Sequence, residues 1–420
     1  MKKMNISSPK QKITNGDKIG KYNYYAGYSN EFVTSVIKEF GITTEHVILD
    51  PWNGSGTTTL AATHMGIPSI GIDLNPAMCI VAKSRFATNT DVGIVISKIK
   101  NARVSKFREI LSNDDYLLHW FEYSTASYIR YLDEFICGKH QSYSSDKIKK
   151  LSIPQCLSYL ALFKTVRSFL TPFQSSNPTW IKKKNTSGPI KIPNNKIKEK
   201  LLEVIKEFNI PEKKSSSSIL SEIRYGDAKK IDINEKTIDY IITSPPYCTR
   251  LDYGIATSPE LAILLGSTSE VDKIRRVLTG RTTIDKNIEA TTTSFPDEVC
   301  DFLTAVKSHS SRASDTYYYK NLLQYFCDMK KSIIEVSRII KDTGAFICVV
   351  QDSFYKDIYC NLPDMIASLA LEYDLILKSK IDFKSMTHMA NINTNSKTYR
   401  KSTHATESVL IFEKRQAYDN

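Results

Sequence analysis

The sequence predicts an α/β fold with a mixed, mainly parallel sheet, helices on both faces and a helical insertion. Two observations lead to this prediction. Short apolar runs that end in polar or glycine-rich corners alternate with helical patterns, which is typical of a doubly wound sheet. A lysine-rich helical stretch then interrupts this alternation in the middle of the chain. The 420 residues are 41% hydrophobic, so the chain can bury a substantial core.

The first part of the sheet is predicted within residues 22–94. Phe32 and Val36 recur at helical spacing, and the apolar run HVILD that follows ends at Asp50. A glycine-rich turn and a helix rich in Thr and Ala come next. The second short strand, SIGID, ends at Asp73. A strand, a glycine turn, a helix and a strand with an acidic end form the opening of a Rossmann-like unit.

The pattern changes to mainly helical between residues 95 and 220. Long apolar stretches such as LSYLALFKTVRSFL replace the short strands, and lysines crowd the part from Lys182 to Lys214. We interpret 95–220 as a helical insertion with a basic segment from Lys182 to Lys214. This segment is either a solvated face or a surface that contacts the backbone of a nucleic acid.

The sheet resumes in residues 221–420, which together with 22–94 form one predicted domain. A strand at 223–225 precedes Gly-Asp-Ala, and a strand at 238–243 runs into Ser-Pro-Pro-Tyr. A later helix is predicted to end near Gly344. The strands AFICVV and ESVLIFEK complete the pattern.

Charge and cysteine usage narrow the class of protein. The net charge of +12 favours a partner that carries many phosphates, such as a nucleic acid. None of the eight cysteines forms a Cys-x-x-Cys pair, which argues against a zinc framework or a disulfide scaffold and for reduced thiols in the cytoplasm. The chain shows no apolar run long enough to cross a membrane, and residues 1–21 are expected to form a flexible basic arm without a secretory signal.

The turn Gly54-Ser55-Gly56 is a candidate cofactor loop. Glycines let the backbone approach a ligand closely, and Asp73 at the end of the next strand suits the two hydroxyls of a ribose. A third glycine at the dinucleotide spacing is missing. The loop therefore favours a nucleoside without a pyrophosphate over a nicotinamide dinucleotide, although such turns also close ordinary strand–helix corners.

The tetrapeptide Ser244-Pro245-Pro246-Tyr247 is the strongest candidate for chemistry. Two prolines cannot extend a ladder, so they stiffen the turn after the strand. The side chain of Ser244 and the carbonyl of Pro245 can accept hydrogen bonds from an exocyclic amino group, and Tyr247 offers a ring for stacking. Cys248, which follows a tyrosine rather than a proline, is interpreted as a neutral turn residue. A plain Pro-Pro turn with a packed tyrosine is the alternative for the motif.

In this order, the motifs resemble those of DNA amino-methyltransferases, the group that acts on N6 of adenine or N4 of cytosine. The resemblance implies a Rossmann-like class I methyltransferase fold with a seven-stranded sheet, S-adenosyl-L-methionine as the cofactor, and DNA as the partner. It assigns catalysis to Ser244, Pro245, Pro246 and Tyr247. It assigns cofactor binding to Tyr25, Ser29, Phe32, Asp50, Pro51, Asn53, Gly54, Ser55, Gly56, Thr57, Thr58, Asp73, Leu74, Asn75, Asp227 and Ala228.

The serine at the first catalytic position resembles the cytosine-N4 members more than the adenine-N6 members. The resemblance thus implies direct in-line transfer to cytosine N4 of a base flipped from duplex DNA, without a metal, in a restriction-modification or phage-defence setting. Adenine-N6 methylation, methylation of RNA or of a protein amide, and non-catalytic DNA binding are the alternatives. Either 95–220 or 266–320 is expected to read the bases.

Overall fold

The computed structural model describes a seven-stranded sheet flanked by helices. The described residues are 4–10, 22, 27–105, 111–138, 145–175, 180–183, 188–208, 220–249, 251–285, 287–288, 294–385 and 405–415. Their strands are β1 (Ile48–Asp50), β2 (Ser69–Asp73), β3 (Ser221–Tyr225), β4 (Ile238–Thr243), β5 (Ile340–Gln351), β6 (Ser353–Tyr355), β7 (Ile358–Cys360), β8 (Leu375–Ser385) and β9 (Ala405–Lys414).

The helices lie mainly between the strands and in the middle of the chain. They are α1 (Asn30–Glu39), α2 (Thr57–His64), α3 (Pro76–Ser84), α4 (Asn89–Asn101), α5 (Tyr123–Leu132), α6 (Ser145–Lys150), α7 (Ile153–Ser168), α8 (Asn194–Lys206), α9 (Tyr253–Ala256), α10 (Ser258–Leu265), α11 (Thr268–Val277), α12 (Asp297–Ser308), α13 (Tyr319–Ile339) and α14 (Leu362–Leu371).

The sheet order is β3-β2-β1-β4-β5-β9-β8, and β6 pairs with β7 in a separate hairpin. The first five strands in this order are parallel, whereas β9 runs antiparallel to both β5 and β8. The chain moves outward from β1 in one direction and then returns to add β4 on the other side. Ligands of open α/β sheets bind at such a reversal, outside the carboxyl ends of the strands. The predicted Rossmann-like methyltransferase fold is confirmed by this strand order.

Local sequence signals explain why the first unit forms as predicted. Ser29 caps α1, since its hydroxyl accepts a hydrogen bond from the amide of Phe32 at 3.1 Å. Asn75 caps α3 in the same way, and Pro76 occupies the first turn of that helix. The predicted strands HVILD and SIGID contain β1 and β2.

One predicted boundary is wrong. The helix expected to end near Gly344 ends at Ile339, and β5 starts at Ile340 and runs through Gly344. A Cβ at Gly344 would lie 2.6 Å from the carbonyl oxygen of Asp239. This glycine therefore permits close approach of β5 to β4 and does not stop a helix.

The helical region between β2 and β3 is not a detached domain. Its helices α4, α5, α7 and α8 share one apolar core with α3 and α10. Arg130 of α5 donates to the carbonyls of Ala262 and Ile263 in α10, at 2.7 and 2.6 Å. The insertion thus supports the helices that lie beside the end of the sheet.

Part of the predicted flexible arm is held against α1. The amide of Asn5 donates to Glu39 at 3.1 Å, and the amide of Ser7 donates to the hydroxyl of Ser35 at 2.9 Å. The carbonyl of Pro9 accepts a bond of 2.7 Å from the amide of Ser29. Residues 4–10 therefore differ from the expectation, and the rest of 1–21 lies outside the described residues.

No helix in the described ranges is long and apolar enough to span a membrane. The same ranges contain no group of three or more His, Cys, Asp or Glu side chains arranged to hold a metal ion.

Gly56 at the start of α2 should tolerate no side chain. Its φ is +83°, and a Cβ there would lie 2.7 Å from the Cβ of Ala82 in α3. We expect Gly56→Ala to lower the free energy of unfolding in chemical denaturation by about 2 to 4 kcal/mol, through left-handed strain plus overpacking. Gly66→Ala is the matched control, because Gly66 has φ of +72° but open space around it. Equal losses in the two variants would contradict the packing argument.

Candidate active site

The buried carboxylate of Asp50 joins three elements at the carboxyl ends of β1 and β4. Its Oδ2 accepts hydrogen bonds from Tyr28 Oη at 3.0 Å and Thr58 Oγ1 at 2.8 Å. Its Oδ1 accepts from Thr243 Oγ1 at 2.6 Å and from the amide of Trp52 at 3.2 Å. Burial raises the pKa of Asp50, and these hydrogen bonds oppose that rise. All four bonds are internal, so Asp50 fixes the end of β1 to β4 and α2, and its predicted contact with the cofactor stays a prediction.

The side chain of Asn53 fixes the candidate cofactor loop against β2, and it fits there because position 71 is a glycine. The Asn53 amide donates to the Ile72 carbonyl at 2.9 Å, and Asn53 Oδ1 accepts from Thr59 at 3.2 Å. A Cβ on Gly71 of β2 would lie 2.4 Å from Cγ of Asn53. The loop backbone thus lies directly against β2, at the level where β2 ends.

Asp73 connects this loop to the start of α3. Its carboxylate accepts from the amide of Gly54 at 2.8 Å and from the amide of Asn75 at 2.8 Å. Burial raises the pKa of Asp73 to about 6, and these two backbone hydrogen bonds oppose the rise. Asn75 also donates from Nδ2 to Thr257 at 2.8 Å, which ties α3 to the segment before α10.

The tetrapeptide forms a rigid corner beyond β4. Ser244 Oγ lies 3.0 Å from the carbonyl oxygen of Val349 and 3.3 Å from Tyr247 Oη, and it can donate its single proton to either. Tyr325 of α13 donates to the carbonyl of Pro246 at 2.8 Å. Within the described part of the chain, the carbonyl of Pro245 accepts no hydrogen bond. The corner therefore keeps an unused carbonyl beside a serine whose proton is already engaged.

Tyr247 is turned away from the cleft wall and towards β9. Its hydroxyl donates to Glu407 Oε1 at 2.9 Å. Burial raises the pKa of Tyr247 well above its usual value, and the charge of Glu407 adds to this, so the phenol keeps its proton. The predicted stacking of a base on this ring stays a prediction, whereas Tyr253 does lie in the cleft wall.

A cleft joins the ends of β1, β2 and β4. It connects the predicted cofactor residues with the predicted catalytic corner, and its wall contains residues from both groups. The lining residues are Pro51, Trp52, Asp73, Leu74, Asn75, Met78, Asp227, Ala228, Ser244, Pro246, Tyr253, Thr257, Leu278 and Thr279.

Several predicted site residues lie behind this wall. Phe32 is fully buried in the core under α1, and Ser29 is occupied as a helix cap, so neither reaches the cleft. Tyr25 lies outside the described residues. The remaining predicted residues that do not line the cleft are Asp50, Asn53, Gly54, Ser55, Gly56, Thr57, Thr58, Pro245 and Tyr247.

Six lining residues were missed by sequence reasoning. Trp52 and Met78 lie inside or just after recognised motifs, so their neighbourhood could have indicated them. Tyr253 and Thr257 follow the catalytic tetrapeptide closely along the chain. Leu278 and Thr279 had no local signal, because only the fold returns the end of α11 to this place.

The segment after α11 is fixed against the catalytic corner. Arg281 forms a buried ion pair of 2.5 Å with Asp328 of α13, and the amide of Thr282 donates to Asp252 at 3.2 Å. A Cβ on Gly280 would meet Cβ of Pro246 at 3.5 Å, which is ordinary contact. These bonds hold the wall formed by Leu278 and Thr279 in place.

Comparison with known families identifies the class of protein. The family model described as DNA methylase, the N6/N4 methyltransferase family, matches residues 4–84 and 238–420, which is more than half of the chain. The chain belongs to this family. Its methyl donor, S-adenosylmethionine, is therefore the cofactor of this chain. The unmatched middle includes the whole predicted insertion.

Two curated proteins are similar to parts of the chain. The Type II methyltransferase M.BsoBI of Geobacillus stearothermophilus is 29% identical over 275 residues, which cover 60% of this chain and 54% of that protein. The Type II methyltransferase M.MjaII of Methanocaldococcus jannaschii is 37% identical over 62 residues, 14% of this chain and 12% of that protein. The chain thus spans about half the length of the first of these relatives.

A distant similarity to a solved structure accompanies these matches. A geranyl diphosphate methyltransferase in complex with GPP and sinefungin has 7% identity and a TM-score of 0.31, over 91% of this chain and 77% of that one. The strand order, rather than this similarity, defines the fold.

The cleft has the chemistry that S-adenosylmethionine requires. Asp73 and Asp227 line the cleft, where their carboxylate oxygens could accept hydrogen bonds from ribose hydroxyls and from the amino group of adenine, respectively. Apolar side chains of Trp52, Leu74 and Met78 line the same wall and suit a flat heterocycle. We infer that these residues hold the cofactor.

Binding of S-adenosylhomocysteine should depend on the charge of Asp73. Because the pKa of Asp73 is about 6 and ribose hydroxyls donate best to the carboxylate, affinity should rise between about pH 5 and pH 7. Asp73→Asn should bind about tenfold more weakly and lose this dependence, as measured by titration calorimetry. Asp342→Asn, which changes an exposed acid of β5, should keep it. A flat wild-type profile would refute the role of Asp73.

Proposed function

We propose that this chain transfers a methyl group from S-adenosylmethionine to an exocyclic amino nitrogen of a base in DNA, with N4 of cytosine as the target. One observation carries the proposal. The cleft that contains Asp73 also contains Ser244 and Pro246, so the candidate cofactor site and the serine acceptor of the rigid corner share one cavity. Family membership supports the amino-methyltransferase class.

Ser244 and Pro245 act on the target nitrogen by accepting its hydrogens. An exocyclic amine is a poor nucleophile, since its lone pair is delocalised into the ring. Ser244 donates within the protein, to Val349 or Tyr247, and so its oxygen can only accept from a ligand. Hydrogen bonds to Ser244 Oγ and to the Pro245 carbonyl favour a pyramidal nitrogen with its lone pair free. The Ser244 oxygen already lies in the cleft wall, which avoids reorganisation of this acceptor during the reaction, whereas the Pro245 carbonyl belongs to the same corner but lies outside the wall.

S-adenosylmethionine, when bound, supplies an electrophilic methyl group on a sulfonium. Asp73 and Asp227 hold the nucleoside end. Pro51 and Trp52, at the start of the loop, line the same cleft as Ser244. The shared cavity suits direct in-line transfer without a covalent intermediate. Cys248 is not needed as a nucleophile. The hydrogen bond with Cys360 raises the pKa of its thiol well above the usual value, and burial raises it further.

We propose that a base flipped from DNA enters beside Tyr253, Leu278 and Thr279. These residues complete the wall next to Pro246, and the last two belong to the region 266–320. None of the cleft-lining residues comes from 95–220. This favours 266–320 as the part that contacts the target base, with the basic insertion as a surface for the DNA backbone. The Type II relatives support a cytoplasmic restriction-modification setting.

Ser244→Ala should lower methyl transfer to DNA about a hundredfold, because it removes one of the fixed acceptors. Binding of S-adenosylhomocysteine should persist. Ser353→Ala is the matched control, since that hydroxyl donates to the carbonyl of Cys248 in the same loop at 2.8 Å. Transfer of labelled methyl groups to duplex DNA measures the effect. Wild-type turnover in Ser244→Ala would remove Ser244 from the mechanism.

Mass spectrometry of nucleosides from methylated DNA tests the target base. We expect N4-methylcytosine, since a serine stands first in the tetrapeptide. N6-methyladenine without N4-methylcytosine would overturn the base assignment and keep the amino-methyltransferase class. Binding of DNA without transfer to DNA or RNA would instead favour a non-catalytic protein.

A further inference from the structure

Three hydroxyl and carboxyl groups form a chain beneath the catalytic corner. Ser244 Oγ lies 3.3 Å from Tyr247 Oη, and Tyr247 Oη lies 2.9 Å from Oε1 of Glu407. Ser244 Oγ also lies 3.0 Å from the carbonyl oxygen of Val349. Glu407 belongs to β9, the only antiparallel strand among those described in the sheet, and it pairs with Gln351 at the end of β5.

The direction of each hydrogen bond in this chain follows from its last member. An ionised carboxylate can only accept, so the proton of Tyr247 is committed to Glu407. Tyr247 Oη then has only lone pairs to offer on the side of Ser244. Both protein groups next to Ser244 Oγ are therefore acceptors, and neither uses a lone pair of the serine.

Glu407 sits in surroundings that suit this role. Burial raises the pKa of Glu407, whereas the hydrogen bond from Tyr247 and the charge of Lys10 lower it. Lys10 belongs to the segment held against α1, so the ordered start of the chain contributes a positive charge here. On the neighbouring strands, Glu407 is paired with Gln351 and Phe383, neither of which titrates.

We propose that Glu407 is a positioning residue for methyl transfer: it holds the proton of Tyr247 away from Ser244 and thereby leaves the serine oxygen free to accept from the target amino group. This inference rests on the proposed function. It gives the tyrosine hydroxyl of the tetrapeptide a task that differs from stacking. It also explains why a carboxylate lies under the catalytic corner without lining the cleft.

Replacement of Glu407 by leucine should release the proton of Tyr247. The phenol then has Ser244 Oγ at 3.3 Å as its remaining hydrogen-bond partner among the described residues, and donation to it occupies a serine lone pair. We expect Glu407→Leu to lower kcat about tenfold, the equivalent of one lost hydrogen bond of about 1.4 kcal/mol, with the KM for DNA little changed. Glu407→Gln keeps an acceptor oxygen and should retain most of the turnover.

Combining Glu407→Leu with Tyr247→Phe distinguishes the proposed role of Glu407 from a purely structural one. Tyr247→Phe alone should lower kcat about threefold, because Ser244 loses one of its two acceptors. In the Glu407→Leu background the same change removes the misdirected donor. The double variant should therefore turn over faster than Glu407→Leu and at about the rate of Tyr247→Phe. A residue that only stabilises the fold would give a double variant slower than either single variant.

Controls separate this inference from the proposed function. Glu413→Leu changes an exposed glutamate on the same strand and should behave as the wild type. Two outcomes would overturn the role of Glu407 and leave the proposed function intact, provided that the wild type transfers methyl groups. One is full turnover in Glu407→Leu, and the other is a double variant slower than either single variant. Absence of transfer by the wild type to any DNA overturns the proposed function and this inference with it. Calorimetry with S-adenosylhomocysteine should give wild-type affinity for each variant.

Discussion

The four hydrogen bonds to the buried carboxylate of Asp50 are the constraint on which the site depends. They join the end of β1 to the end of β4 through Thr243, and to the start of α2 through Thr58. The next residue after Thr243 is Ser244, the proposed acceptor, and the next residue after Asp50 opens the candidate cofactor loop. A single acid with its bonds satisfied inside the protein thus sets the distance between the two halves of the cleft. Each oxygen accepts two of these bonds, so loss of one partner would leave the buried carboxylate less well compensated for its desolvation.

Close backbone contacts make this arrangement possible. Gly71 lets the side chain of Asn53 lie against β2, and Gly344 lets β5 approach β4. The sheet can therefore place the loop, Asp73 and the proline corner close together at the carboxyl ends of its strands. The helical insertion contributes in a different way, since its core is continuous with α3 and α10. It supports the helices that carry Asn75, Met78 and Thr257, so its role in the cleft is indirect.

The antiparallel strand β9 extends the site beyond the motifs. It brings Glu407 under Tyr247, and the segment held against α1 brings Lys10 close to the same carboxylate. In a parallel sheet of this kind, the carboxyl ends of strands usually supply the ligands. Here β9 runs in the opposite direction, so its first residues lie beside the carboxyl ends of the parallel strands. The described segments 4–10 and 405–415 thus each contribute a charged side chain near the proline corner.

The sequence by itself determined strands β1 to β5 and β9 along the chain, the turn at Gly56, the acid at Asp73 and the proline corner at Ser244. These features are local, since each depends on residue types within a few positions of each other. In contrast, β6, β7, β8 and the order of strands in the sheet came only from the structure. Only the tertiary structure decided that Asp50 is a buried anchor, that Phe32 packs in the core, and that Tyr247 points to Glu407. It also returned Leu278 and Thr279 to the cleft and extended β5 through Gly344. The reason is physical: burial, hydrogen-bond direction and contacts between distant segments depend on packing, which leaves no periodic signal in the chain.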